Sequence, residues 1–135
     1  MPSVLIADDH EFMRSALSGL VEAEPDLVLV GTAADGVVAV AMAVRTRPDV
    51  VLMDLSMPRL DGISALREIR RQVPGVRVLV LSSSCTGPLV REALKAGACG
   101  YLVKGEAPES LLDGIRSAAG GGRPLAALAR ELLGS

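Results

Sequence analysis

Apolar positions along this chain follow two alternating rhythms. Short, mainly apolar runs occur at Val4 to Ala7, Leu27 to Val30, Val50 to Met53, Val76 to Leu81 and Cys99 to Val103. Runs of this length, bounded by turn residues, suit strands covered on both faces. Between them, apolar residues recur at helical spacing. The stripes are Met13, Ala16, Leu17, Leu20 and Val21; Val37, Val40, Ala41 and Val44; Ile63, Leu66, Ile69 and Val73; Val90, Ala93 and Leu94; and Leu111, Ile115, Ala118 and Ala119. Pro25, Pro48, Pro74-Gly75 and Gly97 punctuate the stripes, and Pro108 suits the first turn of the last one. The second run is expected to stop at Gly31-Thr32. Five strand–helix alternations predict one parallel sheet with helices on both faces. Right-handed crossovers leave a few doubly wound topologies, among them the flavodoxin-like order 2-1-3-4-5, which sets strands 1 and 3 side by side.

Beyond residue 119 the pattern changes. Gly120-Gly121-Gly122 makes a flexible break, and Pro124 opens an amphipathic stretch with Leu125, Leu128, Ala129, Leu132 and Leu133 at helical spacing. It is either a sixth helix packed on the domain or a linker helix meant for a partner. The expected organisation is a domain over 1–119 and a Gly-rich break with a linker helix over 120–135.

Composition narrows the classes. With 135 residues the chain has room for one domain with a real core. Hydrophobic residues make up 50%, yet there is no Trp, one Phe and one Tyr, so the core must be aliphatic. A net charge of -2 gives no basic footprint for nucleic acid, and Arg67, Arg70 and Arg71 read as a solvated helix face. No apolar run approaches the ~20 residues of a membrane span, and the N-terminus lacks the basic region of a secretory signal. Cys85 and Cys99 have no metal-like spacing and read as reduced thiols of a cytoplasmic protein.

The polar residues that interrupt the runs fall at one edge of the predicted sheet. Asp8 and Asp9 end the first strand, Asp54 the third, Ser82 the fourth and Lys104 the fifth. The carboxyl ends of parallel strands are where open α/β sheets bind ligands. Three carboxylates in one crevice raise one another's pKa unless a cation offsets them. Hard oxygen donors with room for water suit Mg2+. A lysine at the rim and a serine hydroxyl would serve phosphoryl oxygens. The pattern predicts a site for a phosphoryl group bridged by Mg2+, with Asp54, the most central carboxylate, as nucleophile. His10 reads as a helix-start residue.

Together these stretches resemble the receiver domain of a two-component response regulator, from Val4 to about Ala119. The resemblance rests on Asp8-Asp9-His10, on Met53-Asp54-Leu55-Ser56-Met57-Pro58 with Asp61-Gly62, on Val80-Leu81-Ser82, and on the run from Gly97 to Lys104. Several of these stretches are similar to the LuxR/NarL subgroup. The resemblance implies the flavodoxin-like fold, and it implies that Asp54 accepts a phosphoryl group from a phosphohistidine of a sensor histidine kinase. It implies Mg2+ held by Asp9, Asp54 and the Ser56 backbone carbonyl, with Asp8 acting through water. Lys104 would contact the phosphoryl group, Ser82 would move to hydrogen-bond it, and Tyr101 would rotate inward as Ser82 moves. Such a chain is a switch rather than a true enzyme. It would work through homodimerisation and a C-terminal helix-turn-helix domain absent from this sequence, so this chain alone should not bind DNA. One departure is Gly105, where many receivers carry proline; another is serine at positions 56 and 84, where larger polar residues are common.

Three other readings compete. A stand-alone receiver would act by protein contact or in a phosphorelay. An aspartyl phosphatase would want a second acid two residues after Asp54, where Ser56 stands. A nucleotide-binding domain would need a Gly-rich turn after the first strand, where Asp8-Asp9-His10 stands.

Overall fold

The computed structural model describes residues 1–134. Strands β1 (Ser3–Ala7), β2 (Val28–Ala33), β3 (Val50–Met53), β4 (Arg77–Ser82) and β5 (Gly100–Val103) alternate with helices α1 (Glu11–Glu22), α2 (Gly36–Thr46), α3 (Gly62–Gln72), α4 (Gly87–Ala96) and α5 (Pro108–Ala119), and α6 (Ala127–Gly134) follows. The sheet is all parallel, in the order β2-β1-β3-β4-β5. This is the flavodoxin-like order expected from the alternation.

Successive strand residues feed opposite faces, which is why the runs are apolar throughout. Leu5, Ala7, Val51, Met53, Val78, Val80 and Tyr101 point to a core shared with α2, α3, α4 and α6. Val4, Ile6, Val50, Leu52, Leu79, Leu81 and Leu102 point to a core shared with α1 and α5. On that second side the Arg116 guanidinium of α5 donates to Glu24 and Asp26, tying the helix to the α1–β2 turn. No helix among the described residues is long and apolar enough to cross a membrane.

Three local expectations change. β2 does not stop at Gly31; it pairs with β1 through Gly31, Thr32 and Ala33. As an edge strand it needs no apolar residue on both faces, and the Met42 side chain fills the place of a Gly31 side chain. Arg70 is not on a solvated face. It donates to the carbonyls of Pro74 and Val76 at 2.6 and 2.9 Å, closing the α3–β4 turn, while Arg67 and Arg71 are exposed. The stretch after the glycines lies against the domain. Leu125 makes a parallel bridge to Tyr101, and α6 packs on α4 with Ala129 fully buried.

Two glycines in helices should respond in opposite ways to alanine. Gly19, inside α1, has nothing within 4 Å of an added Cβ, so Gly19→Ala is expected to raise stability by about 0.8–1 kcal/mol. Gly62 opens α3 against the chain at Asp54, where a Cβ would run into the Asp54 carbonyl and Leu55 Cα. Gly62→Ala is expected to cost about 1–3 kcal/mol through overpacking. Urea midpoints of the two variants and the wild type check both signs.

Candidate functional site

The strand ladder runs one residue past β1, β3 and β5 and fixes three polar residues at the sheet edge. The Asp8 amide donates to the Ala33 carbonyl at 3.0 Å, the Asp54 amide to Ala7 at 2.9 Å, and the Lys104 amide to Ser82 at 2.9 Å. Asp8 and Asp54 therefore leave neighbouring strands, and Lys104 leaves β5 two places from β3, all with their backbone amides already paired. The chain then turns away into α1, α3 and α5. The turn after Asp8 is held by the His10 amide, which donates to Asp8 Oδ1 at 2.9 Å. Arg14, one turn into α1, donates to the Asp8 carbonyl at 2.8 Å. Nothing in the sequence marked Arg14, since its partner is a backbone oxygen that any residue would supply.

The structure brings the expected acids and the lysine together. Asp8 and Asp54 are only 2% and 4% exposed, too buried for ordinary hydration of their charges. Lys104 Nζ lies 2.8 Å from Asp8 Oδ2 and 3.3 Å from Asp54 Oδ2. Burial pushes the Asp54 carboxyl above its ordinary range; the Lys104 charge opposes this and the Asp8 charge adds to it. Burial by itself would lower the Lys104 ammonium, but the Asp8 hydrogen bond and the charges of Asp54 and Asp8 outweigh it, so Lys104 is raised. Asp9 is exposed at the mouth, and His10 Nδ1 sits 3.3 Å from Asp8 Oδ1 and 3.2 Å from Asp9 Oδ1.

Ligand atoms of Asp8, Asp9, His10 and Asp54 all lie within 4.8 Å of one another. Three carboxyl groups thus face a single ammonium in the crevice. The donors fit Mg2+, which prefers carboxylate oxygen, takes few protein ligands and retains water.

The switch residues are linked. Tyr101 is fully buried, and its hydroxyl donates to the Ser84 carbonyl at 2.5 Å. The Ser84 amide donates to Ser82 Oγ at 3.0 Å. Tyr101 thus already lies inward, beneath the loop between β4 and α4, and burial raises its phenol pKa. Ser56 is exposed, and its amide donates to Asp54 Oδ1 at 3.3 Å. Ser56, Ser82 and Ser84 line a cleft between α3 and α4 that Arg67 and Glu92 flank. Asp61 starts α3 by accepting from the Ser64 amide at 2.9 Å, a bond that holds its own pKa below the ordinary range. Gly105 has φ +94, a conformation closed to proline, whose ring fixes φ near −65°. The departure at this position therefore follows from the shape of the loop between β5 and α5.

A crevice of acids at the carboxyl edge of a 2-1-3-4-5 sheet, with a lysine across from the central acid, defines a receiver. The sequence profile of the family described as response regulator receiver domain matches residues 4–116, and the chain belongs to that family. It is 41% identical over 118 residues to the uncharacterized transcriptional regulatory protein YxjL of Bacillus subtilis, covering 87% of this chain and 54% of that protein. It is 40% identical over 121 residues to the transcriptional regulatory protein LiaR of Bacillus subtilis, covering 90% and 57%. The chain thus spans little more than half the length of these relatives. Among solved structures, a LuxR family two-component response regulator from Aurantimonas sp. SI85-9A1 superposes with a TM-score of 0.94 at 30% identity, over 99% of this chain and 96% of that one. The signal receiver domain of the putative response regulator NarL from Mycobacterium tuberculosis gives 0.86 at 29% identity, over 89% and 97%.

The raised Asp54 pKa has a sign that can be tested in a metal-free buffer. A carboxyl whose folded pKa exceeds its unfolded value binds its proton more tightly when folded. Its ionisation therefore costs stability as pH rises above the ordinary value of 3.8. Asp54→Asn removes that charge. Denaturation in EDTA is expected to show the variant gaining on the wild type between acid and neutral pH. Added Mg2+ should stabilise the wild type and narrow the gap, because an ion that binds only the folded state stabilises it by mass action.

Proposed function

We propose that this chain is a phosphorylation-controlled switch of a transcriptional response regulator, with Asp54 as the phosphoacceptor. The observation that carries the reading is the crevice in which Asp8, Asp9 and Asp54 converge and the Lys104 ammonium reaches the Asp54 carboxylate. Asp54 Oδ would attack the phosphorus of a phosphohistidine on a sensor histidine kinase. The P–O bond to Asp54 forms as the P–N bond to the donor breaks. Asp9, Asp54 and the Ser56 carbonyl would hold Mg2+, with Asp8 acting through water. When bound, the ion supplies positive charge to the transferring oxygens.

The chain's own residues do the rest. Lys104 exchanges part of its contact with Asp54 for a phosphoryl oxygen, and it stays protonated because both aspartates favour its charge. Burial of Asp54 strengthens each of these charge interactions. Ser82 moves to donate to the phosphoryl group, and Tyr101, hydrogen-bonded at Ser84, follows the loop that joins them. The output is a changed face around α4, β5 and α5. The relatives are named transcriptional regulators and are nearly twice as long as their match to this chain, so the reading extends to a DNA-binding domain beyond the receiver and to homodimerisation.

Intact mass after incubation with acetyl phosphate tests the chemistry. One added phosphoryl group is expected on the wild type with Mg2+, and none without Mg2+ or on Asp54→Asn. Lys104→Met should slow the reaction by about tenfold or more, since it removes a charged contact worth about 1.5–3 kcal/mol. An adduct that persists on Asp54→Asn overturns the assignment.

A further inference from the structure

The segment after the glycines is not merely parked on the surface. It is bonded to one residue of the sheet, and that residue is Tyr101. The Tyr101 amide donates to the Pro124 carbonyl at 3.0 Å, and the Ala126 amide donates to the Tyr101 carbonyl at 2.9 Å. On its other side Tyr101 pairs in the ladder with Val80 of β4. One residue therefore sits in the sheet beside β4, holds the loop at Ser84 through its hydroxyl, and holds the C-terminal segment through both of its backbone groups. The seat is tight. A Cβ on neighbouring Gly100 would run into the Pro124 carbonyl.

The same segment is weakly held elsewhere. α6 has eight residues, too few to stay helical in isolation. Its full burial rests on Ala129 and, just before the helix, on Ala126, with Leu125 and Leu133 partly buried. Alanines bury little apolar area, so the apolar contribution to docking is small beside the bonds at Tyr101. An element of this kind responds to small changes at Tyr101, its backbone attachment among the described residues.

We propose that docking of residues 124–134 on β5 and α4 is coupled to phosphorylation of Asp54 through Tyr101. This rests on the phosphoacceptor reading of Asp54. The docked segment holds the Tyr101 backbone while the Tyr101 hydroxyl holds the loop whose Ser84 amide reaches Ser82. Phosphorylation draws Ser82 and that loop toward Asp54 and keeps Tyr101 inward, which is the arrangement that seats the segment. The two events therefore favour each other, and by linkage the coupling is reciprocal. The segment becomes the part of the chain that reads the phosphoryl site and passes its state to whatever follows.

The test uses the full chain, with beryllofluoride and Mg2+ as the phosphoryl probe. In the wild type, the probe is expected to slow hydrogen exchange at the Ala126 amide by about fivefold or more, with Ile115 in α5 as the internal reference. Ala129→Glu places a charge in the α6–α4 contact and releases the segment without touching Tyr101. It should bind the probe about fivefold more weakly. Gly100→Ala, which displaces Pro124, should do the same and serves if Ala129→Glu does not fold. Unchanged Ala126 exchange in the wild type, or equal probe affinity in a variant whose segment exchanges freely, overturns the coupling and leaves Asp54 as phosphoacceptor. A wild type that takes up neither beryllofluoride nor a phosphoryl group from acetyl phosphate overturns both readings.

Discussion

Two buried carboxylates on neighbouring strands share one ammonium, and the rest of the molecule follows from keeping them there. Asp8 and Asp54 are too buried for ordinary hydration, and burial raises the Asp54 carboxyl against the pull of the lysine. Lys104 reaches both, but it arrives from β5, which is separated from β3 by β4. That reach depends on the strand order and the register, because a one-residue slip in β5 would turn Lys104 to the opposite face. Arg14, the His10 amide and the Asp61 cap then hold the connections that leave the edge.

Much of this was legible in the residues, for a physical reason. A strand covered on both faces must be apolar throughout, so each polar residue at the end of such a run marks the sheet edge. Asp8, Asp54, Ser82 and Lys104 were readable on that rule, and parallel topology brings such ends together. β2 was misjudged because an edge strand tolerates Gly31 and Thr32, which a central strand would not. The burial of Tyr101 suits the covered run it belongs to, but the hydrogen bond that ties its hydroxyl to the Ser84 carbonyl left no mark in sequence. The role of Arg14 left no trace, because its acceptor is a carbonyl.

The C-terminal stretch shows the limit most clearly. Its leucines at helical spacing suggest a face waiting for cover. In the structure Leu128 stays exposed at 46%, while Ala126 and Ala129 are the buried residues. Small side chains let α6 lie close to α4, and the firm contact is made by backbone at Tyr101. The stripe through Ala129 left docking on the domain as one of two readings; a main-chain bridge gives no periodic signal, so the attachment at Tyr101 could be seen only in three dimensions.

The bridge at Tyr101 also changes what the sheet presents to its surroundings. A parallel sheet has two margins, each a row of backbone groups able to recruit a foreign strand. At β5 the groups of Tyr101 are already occupied by residues 124 and 126, and α6 lies beside them. At β2 the register shifts against β1 between Val4 and Leu5, an irregularity that spoils a straight template. The two margins of the sheet are thus guarded against strand-to-strand association by two different devices. The backbone groups of Tyr101 that a foreign strand would use are therefore covered by the chain's own C-terminal segment.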